Sequence, residues 1–399
     1  MNLAPPEPAL SSADMLARAE ALRPALRERQ QACEQHRRIV DETHRDFLAA
    51  GFYRVLQPRA FGGYEFSMTD FARLIAEVSR GCIDTGWVLS LIASQPPLMC
   101  SFPIQGQREA YGPDGDFRAA NVLIPRGSAI PCDGGFRVQG AWDYCSGCHL
   151  TTHLLARVFL RESPDSPPKG LAYVLLDRDH FEIVENWDMM GMQGTGSHRV
   201  VAREVTIPAY RLVADSDPWR DNPETAESRT LYCGAPLAGG YATYSVAVGA
   251  ARGALDLFDD LLRNRKWLAP PFPRRCEMVP EQIIFGDAQA LIDTAEAALY
   301  ALADRLTHLM ENAYRSGTPA PVGELRRTHR AGLQCIDLAW QATDLIFRAS
   351  GTSSASATGP IGRVFRGLAV LRTHIGAQTE PVSINVARLH FGLQPAGPL

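Results

Sequence analysis

The sequence lacks the features that direct a chain into a membrane or onto a nucleic acid. It has no run of about 18 apolar residues, so no transmembrane helix is expected. Its formal net charge is −4, so neither a nucleic acid nor an anionic membrane surface is expected as a partner. The stretch from Met1 to Ser12 has neither the basic region nor the apolar region of a signal peptide. We therefore expect a cytoplasmic protein.

Two further absences concern cofactors and cross-links. No Gly-x-Gly-x-x-Gly motif follows a predicted strand, so the chain is not expected to bind NAD(P)H itself. The nine cysteines are expected to be free thiols, because disulfides are rare in the reducing cytosol. The sequence does have an ordinary globular composition, with 46% apolar residues in 399, which is enough for a large core.

The first of three regions, residues 1–120, has mostly helical spacing. Between Asp70 and Val78 the apolar residues fall at positions 71, 74, 75 and 78, which fits a 3.6-residue period. Ser67 is placed to cap this helix, with Asp70 in its first turn. We predict an N-terminal helical domain over this region.

The second region, residues 121–225, consists of strands joined without helices. Three predicted strands are Leu154–Leu160, Leu171–Leu176 and Arg199–Ile207, with a Pro-rich loop at 164–170 between the first two. Successive strands without intervening helices favour an antiparallel barrel or sandwich. We predict a middle antiparallel β-barrel.

The third region, residues 226–399, is again helical. Its spacing predicts four helices, near residues 240–266, 281–316, 324–350 and 360–377. Long antiparallel helices that share apolar stripes form a bundle, so we predict a C-terminal helical bundle. The chain as a whole is predicted to be α+β, in the order helical domain, β-barrel and helical bundle.

Residues Trp142–His149, which read Trp-Asp-Tyr-Cys-Ser-Gly-Cys-His, permit three interpretations. Cys145–His149 matches the C-x-x-C-H pattern of covalent haem attachment, but such haem is attached after export and no export signal is seen. A zinc site is the second interpretation, with Cys145, Cys148, His149 and His153 as possible ligands. Structural zinc sites bring together ligand pairs from separated segments, whereas this segment leads straight into a strand. We therefore predict no metal site.

The third interpretation uses the serine of the same segment. A turn at Ser146 and Gly147 between two strands would present a hydroxyl and backbone amides to a ligand. Trp142 and Tyr144 would offer flat faces to an aromatic ring system, which suits a planar cofactor with hydrogen-bonding edges. An ordinary β-turn beside core aromatic residues is the simpler explanation of the same pattern.

From about residue 20 to the C-terminus, the chain resembles the acyl-CoA dehydrogenase fold family. Gly51–Pro58 and Phe61–Tyr64 resemble its N-terminal helical domain. Gly191–Ser197 resembles the loop before its last β-strands, and Val205–Pro208 resembles the strand that closes its middle domain. The resemblance implies the same order of helical, β and helical regions.

Within that family, the likeness is closer to the two-component flavin-dependent monooxygenases. These include the oxygenase subunits that hydroxylate 4-hydroxyphenylacetate or secosteroid phenols, and dibenzothiophene monooxygenase. Their Trp-x-Phe/Tyr-x-Ser-Gly-Cys segment is Trp142–Cys148 here, and their Gly-Thr-Gly-Ser segment is Gly194–Ser197. An acyl-CoA dehydrogenase needs a carboxylate base, often in a Tyr-Glu-Gly-Thr segment, and the corresponding stretch Leu371–Gly376 has none.

The resemblance implies that a reduced flavin, FMNH2 or FADH2, reacts with O2 to form a C4a-hydroperoxyflavin that hydroxylates a small aromatic substrate. It also implies a separate NAD(P)H:flavin reductase as a partner, and a homotetramer formed through the C-terminal bundle. The alternatives are an acyl-CoA dehydrogenase-like oxidoreductase and an S- or N-oxidising monooxygenase on the same fold.

The resemblance assigns roles to residues in the middle region. Ser146 is expected at N5 of the flavin, where it would act as a catalytic residue. Thr195 and Ser197 are expected to bind other polar edges of the ring or its phosphate. The other expected cofactor-binding residues of this region are Trp142, Tyr144 and Cys145.

Two further residues come from the helical bundle. His374 lies in the stretch that holds a histidine in these monooxygenases, and we expect it to hydrogen-bond the hydroperoxide or the substrate. A buried structural histidine is the alternative, and Arg366–Gly367 departs from the Arg-Asp that relatives often show there. Arg265 is expected to bind the flavin phosphate of a neighbouring subunit, which a guanidinium fork suits.

The expected substrate-binding residues are Gln95 and Met99. Phenol-hydroxylating relatives often carry a histidine where Gln95 stands, and a glutamine cannot accept a proton at neutral pH. Ortho-hydroxylation of a phenol, indole-type hydroxylation, S-oxidation and N-oxidation therefore all stay open.

Overall fold

The computed structural model of the chain describes residues 6–215 and 229–396. Six helices precede the sheet, and they are α1 (Ser12–His36), α2 (Asp41–Ala50), α3 (Met68–Gly81), α4 (Ile83–Ala93), α5 (Pro96–Met99) and α6 (Ile104–Tyr111). The strands are β1 (Ala119–Val122), β2 (Ser128–Cys132), β3 (Gly135–Cys145), β4 (His153–Leu160), β5 (Gly170–Asp177), β6 (Glu182–Val184), β7 (His198–Ile207) and β8 (Leu212–Ala214). The later helices are α7 (Arg229–Asn264), α8 (Val279–Ser316), α9 (Val322–Ala349), α10 (Pro360–Leu371) and α11 (Glu380–His390).

The predicted helix around Asp70 is confirmed as α3. Ser67 accepts a hydrogen bond from the Asp70 amide, and Asp70 bonds back to the Ser67 amide, which forms a complete capping box. The residues that the periodicity placed on one face, Phe71, Leu74, Ile75 and Val78, are all buried. Local capping and an apolar stripe together fix where this helix begins and which face it buries.

The three strands predicted in the middle region are also confirmed, but the closed antiparallel barrel is wrong. The described strands form an eight-stranded sheet in the order β6-β7-β3-β2-β4-β5-β8, with β1 paired to β4, and the sheet is not closed between β6 and β8. It is also mixed, because β1 and β2 both run parallel to β4. They lie along successive parts of β4, and Pro125, which cannot donate to a ladder, stands between them.

The predicted bundle helices are present, with shifted ends. The helix predicted over 360–377 ends at Leu371, and α11 was not foreseen. The division into domains at residues 120 and 225 stays a prediction, and its second boundary lies outside the described residues. The eight cysteines whose side chains the structure describes are free thiols, as expected. No helix of the described chain is long and apolar enough to cross a bilayer.

Helix α4 lies at the centre of the fold. Every one of its residues except Leu91 is buried, including the polar Asp84, Thr85 and Ser90. A helix that is buried on all sides cannot leave polar side chains unpaired without a cost, so each of them needs a partner. Ser90 donates to the Trp87 carbonyl of the same helix, whereas Asp84 accepts from the Gly194 amide in a loop of the sheet, where the candidate site lies.

Helix α7 packs across α3 at a position where only glycine fits. A Cβ atom added at Gly249 would lie 2.0 Å from the Ala76 carbonyl oxygen of α3. Gly286 of α8 is a matched helical glycine that is exposed, with nothing within 4 Å of an added Cβ.

We predict opposite effects of the same substitution at these two glycines. Gly249→Ala forces the two helices apart and should lower the free energy of unfolding by more than about 2 kcal/mol. Gly286→Ala only removes the flexibility of glycine in a helix and should be neutral or stabilising by up to about 1 kcal/mol. Urea denaturation of both variants measures the difference, and an equal effect at the two positions would contradict the packing argument.

Candidate active site

Ser146 and Gly147 form the predicted turn that follows β3. The Gly147 backbone is left-handed, with φ of 68°, and its amide donates to the Thr195 carbonyl at 2.9 Å. A short 3-10 turn, Cys148–Leu150, then leads to β4. The loop that holds Thr195 lies between β6 and β7, so one backbone hydrogen bond joins two loops of the sheet.

Three buried hydroxyl groups come together where these loops meet. The Ser146 Oγ lies 2.7 Å from the Ser197 Oγ, which lies 2.7 Å from the Thr195 Oγ1. The Thr195 hydroxyl donates to the Met192 carbonyl at 2.8 Å. Residues predicted from two separate motifs thus form one hydrogen-bonded cluster.

Trp87 of α4 links this cluster to the bundle. Its indole Nε1 donates to the Ser146 Oγ at 3.1 Å. The His374 ring packs edge-on against the same indole, with 5.0 Å between the ring centroids. Ser146 and His374, the two predicted catalytic residues, therefore contact the same tryptophan.

The His374 imidazole is held in one tautomer. Its Nδ1 accepts a hydrogen bond from the Gly376 amide at 3.0 Å, so in the neutral ring the proton is on Nε2. Burial lowers the pKa of His374 from its ordinary value of 6.5. At neutral pH, His374 is therefore a neutral ring that can donate from Nε2.

Asp84, one turn before Trp87 on α4, holds the second loop. Its Oδ2 accepts from the Gly194 amide at 2.7 Å, and an added Cβ at Gly194 would lie 2.7 Å from the same oxygen. This close approach explains why the segment Gly194–Ser197 begins with glycine. Burial raises the pKa of Asp84 to about 7, although the Gly194 amide favours its ionised form.

The octapeptide Trp142–His149 contains a β-bulge, which sets the direction of its side chains. Trp142 pairs with Val200 and Cys145 with His198, so β3 has one more residue than β7 over this stretch. Strict alternation would place Trp142 and Cys145 on opposite faces, but with the bulge both are fully buried in the sheet core. The Trp142 Nε1 donates to the Arg157 carbonyl at 3.0 Å.

Tyr144 is the residue that the bulge turns outward. Its φ is 64°, its side chain is 57% exposed, and its ring meets that of Trp187 edge-on at 6.1 Å. Among the octapeptide residues named for the cofactor, Ser146 joins the hydroxyl cluster, Trp142 and Cys145 face the sheet core, and Tyr144 faces outward.

The four residues considered as zinc ligands do not converge. The thiols of Cys145 and Cys148 lie in the sheet core. The Nε2 of His149 is 3.4 Å from Glu185, and the Nε2 of His153 is 3.3 Å from Asp177. The buried thiols also offer no accessible sulfur for haem attachment.

Gln95 and Met99 lie just after α4 and are buried. The Gln95 Nε2 donates to the Leu91 carbonyl at 2.5 Å, and its Oε1 accepts from the Asn121 Nδ2 at 2.8 Å. Met99 packs in a separate apolar cluster with Phe102 and Phe117. Gln95 is therefore oriented by protein groups at both ends of its amide.

Arg265 is exposed at the end of α7, away from the hydroxyl cluster. Its Nη1 donates to the Ser353 Oγ at 2.7 Å. Arg263, the other arginine considered for a phosphate, pairs with the Asp259 carboxylate of its own helix at 2.9 Å. Within this chain, Arg265 thus does not join the other predicted site residues.

Trp87 and Asp84 were not among the residues predicted for the site. Both lie on a helix that is apolar almost all round, where periodicity marks no functional face. The signal that was available is a carboxylate in the first turn of an otherwise largely apolar helix, and it points to Asp84 rather than to Trp87.

The chain is similar to known proteins over nearly its whole length. The family described as "Acyl-CoA dehydrogenase, C-terminal domain" matches residues 241–379. The oxygenase subunit HsaA of a flavin-dependent monooxygenase from Rhodococcus jostii (strain RHA1) is 28% identical over 381 residues, covering 94% of this chain and 98% of that protein. The oxygenase component of an FADH(2)-dependent resorcinol hydroxylase from Rhizobium sp. (strain MTP-10005) is 24% identical, covering 91% of this chain and 90% of that protein.

A solved structure extends the likeness to the fold. The crystal structure of the HsaA monooxygenase from M. tuberculosis matches with a TM-score of 0.86 and 25% identity, over 97% of this chain and 99% of that one. This chain is a flavin-dependent monooxygenase with an acyl-CoA dehydrogenase-like fold. The monooxygenase has the helix, sheet and helix order that the sequence predicted, with the sheet corrected as above.

The raised pKa of Asp84 gives the monooxygenase a testable pH dependence. A carboxyl group whose pKa rises from 3.8 in the unfolded chain to about 7 in the folded one favours folding at low pH, and this contribution is lost as the pH rises through 7. Asp84→Asn cannot titrate. Relative to this variant, the wild type should lose about 2–3 kcal/mol of unfolding free energy between pH 5 and pH 8.

The measurement is urea denaturation of both proteins at several pH values. Asp84→Ala serves as the comparison, because it loses the acceptor for the Gly194 amide at every pH. Parallel pH curves for the wild type and Asp84→Asn would contradict the assignment of a buried, titrating carboxyl group.

Proposed function

We propose that this chain is the oxygenase component of a two-component system, which receives reduced FMN or FAD from a separate NAD(P)H:flavin reductase and hydroxylates a small aromatic substrate. The bound reduced flavin supplies the electrons that activate O2. The proposal is supported by relatives whose names include an oxygenase subunit and a resorcinol hydroxylase. The lack of a Gly-x-Gly-x-x-Gly motif in the sequence favours a separate reductase.

The hydroxyl cluster between Trp87 and Thr195 is the observation that carries the proposal. A flavin ring presents nitrogen and oxygen atoms along its edges, and these require neutral hydrogen-bonding partners in a water-poor site. Ser146 and Ser197 are neutral, buried and held by hydrogen bonds on their protein side. These donors and acceptors fit a flavin ring. In this proposal Ser146 faces N5 of the flavin, and Thr195 and Ser197 lie on the protein side of Ser146.

His374 is proposed to act as a hydrogen-bond donor near the reacting oxygen or the substrate. Its Nδ1 is occupied by the Gly376 amide, which leaves Nε2–H as the group that can serve a ligand. Protonation would place a second proton on Nδ1, facing the Gly376 N–H, and would also charge a partly buried ring. The geometry therefore favours a neutral donor over a general base.

Gln95 and Met99 are proposed to contact the substrate from the end of α4. The Gln95 amide is already bonded to Leu91 and Asn121, so it can orient a neutral polar group but cannot take its proton. This favours a substrate that reacts without ionisation at Gln95. Whether the enzyme oxidises a carbon, sulfur or nitrogen atom is decided by identifying the oxygenated product in the test below.

The assembly is also a proposal. Arg265 lies outside the cluster of its own chain, which is the position required of a residue that serves a neighbouring subunit. We propose a homotetramer formed through the C-terminal bundle, with Arg265 at the flavin phosphate of a neighbour and Trp142, Tyr144 and Cys145 supporting the turn. The division into domains 1–120, 121–225 and 226–399 and the location in the cytoplasm belong to the same proposal.

The proposal predicts that Ser146 controls how reduced flavin reacts with O2. Chemically reduced FMN or FAD is mixed with the protein in air, and released H2O2 is measured with and without candidate aromatic substrates. Ser146→Ala should release H2O2 at least about tenfold faster than the wild type, because a buried hydrogen bond to the cofactor is lost. Ser163→Ala, an exposed serine of the loop after β4, is the control and should match the wild type.

If the wild type gives neither a protein-dependent change in H2O2 release nor an oxygenated product with any substrate, the proposed function is wrong. Bleaching of bound oxidised FAD by an acyl-CoA without O2 would instead support a dehydrogenase.

A second prediction concerns His374 and pH. Because burial keeps its pKa below 6.5, the ring stays neutral above that pH, and its contribution should be constant from pH 6.5 to 8. His374→Phe, which lacks the donor, should lower the yield of oxygenated product several-fold and equally across this range. His374→Gln retains an N–H donor and should recover part of the yield, whereas a His374→Phe effect that changes with pH would indicate an acid–base role.

A further inference from the structure

We infer that Thr195 and the Met192 carbonyl fix the direction of the hydroxyl chain, and that this direction makes Ser146 a hydrogen-bond acceptor that selects the reduced flavin. The inference rests on the proposed flavin site. It makes Thr195 a positioning residue that acts through Ser197 and Ser146. The preference for reduced over oxidised flavin is thereby set by Thr195 and the Met192 carbonyl, which do not themselves contact the flavin.

The direction follows from counting protons along the chain. A serine or threonine hydroxyl has one proton to donate and can accept at its lone pairs, whereas a carbonyl can only accept. The 2.8 Å contact between the Thr195 Oγ1 and the Met192 carbonyl therefore uses the threonine proton. The Ser197 proton must then fill the 2.7 Å contact to Thr195, and the Ser146 proton must fill the 2.7 Å contact to Ser197.

The opposite direction is unfavourable because it leaves two oxygen atoms in contact without a proton between them. If Ser146 donated outward and Ser197 donated to Ser146, then Thr195 would have to donate to Ser197. The Thr195 Oγ1 and the Met192 oxygen would then face each other at 2.8 Å with lone pairs only. All three side chains are buried, so water cannot relieve that contact.

Trp87 removes the remaining freedom of Ser146. An indole N–H is a donor only, and the Trp87 Nε1 donates to the Ser146 Oγ at 3.1 Å. With its proton committed to Ser197 and one lone pair committed to Trp87, Ser146 keeps a single lone pair for a ligand. Ser146 can therefore accept a hydrogen bond from a ligand N–H, and it opposes a ligand atom that carries a lone pair.

The two redox states of a flavin differ in this respect at N5. The reduced ring carries a proton on N5 and can donate it to Ser146. The oxidised ring has a lone pair on N5, which would face the lone pair of Ser146. The fixed direction of the chain therefore favours the reduced cofactor, and it holds the proton at N5 while that cofactor is bound.

The test compares equilibrium binding of the two redox states. Dissociation constants are measured for oxidised FMN and FAD in air, and for the dithionite-reduced flavins without oxygen. In the wild type the reduced form should bind at least about tenfold more tightly, which corresponds to one buried hydrogen bond. Thr195→Val removes the end of the chain and lets the Ser197 and Ser146 protons turn, so the preference should fall about tenfold. Thr195→Ser keeps the hydroxyl and should keep the preference within about twofold.

Two further variants keep the test decisive if Thr195→Val does not fold. Ser197→Ala breaks the chain in the middle, frees the Ser146 proton and should also reduce the preference. Ser146→Ala should remove it by weakening the binding of reduced flavin more than that of oxidised flavin. An unchanged ratio in Thr195→Val or Ser197→Ala would overturn the inference and leave the proposed function standing. A wild type that binds flavin in neither state would overturn both.

Discussion

The buried helix α4 provides the constraint on which the rest of the site depends. Asp84 and Trp87 are three residues apart, so their side chains lie on one face of the helix. Asp84 accepts from the amide of Gly194, and Trp87 donates to the hydroxyl of Ser146. One rigid helix thereby fixes the loop before β7 and the turn after β3, and the hydroxyl cluster forms where these two segments meet.

This arrangement explains why the site is built from neutral groups. Isolated charges are costly in a buried site, whereas hydroxyl groups can be satisfied by one another. The Asp84 carboxyl group faces the back of the loop, and burial raises its pKa to about 7. Burial likewise lowers the pKa of His374, so the imidazole is neutral. A water-poor, neutral site of this kind suits chemistry in which a reactive oxygen species must be kept from bulk water.

Local signals in the sequence predicted local features well. The capping box of Ser67 and Asp70, the three long strands and the turn at Ser146 all depend on neighbouring residues, and all are present. The pairing of β1 and β2 with β4 depends on residues some 30 positions apart, and alternation along a strand carries no information about it. The resemblance to known monooxygenases predicted that Ser146, Thr195 and Ser197 all belong to the flavin site. Their residue types and spacing do not by themselves indicate that the three side chains lie in contact.

The bulge at Tyr144 shows why the octapeptide could be interpreted in three ways. Its extra residue places Cys145 in the sheet core, in the same buried cluster as Cys148. The Cys148 sulfur in turn lies 3.6 Å from the Gly196 carbonyl, within the loop that carries Thr195 and Ser197.

Cys148 therefore joins the turn at Ser146 to that loop from the core side, while Trp87 and Asp84 join the turn and the loop to α4 from the helix side. The spacing of Cys145 and Cys148 matches a haem motif because a two-residue turn separates two core-facing positions. That geometry requires small buried side chains and no metal or porphyrin, and it leaves the serine between them as the residue that can face a ligand.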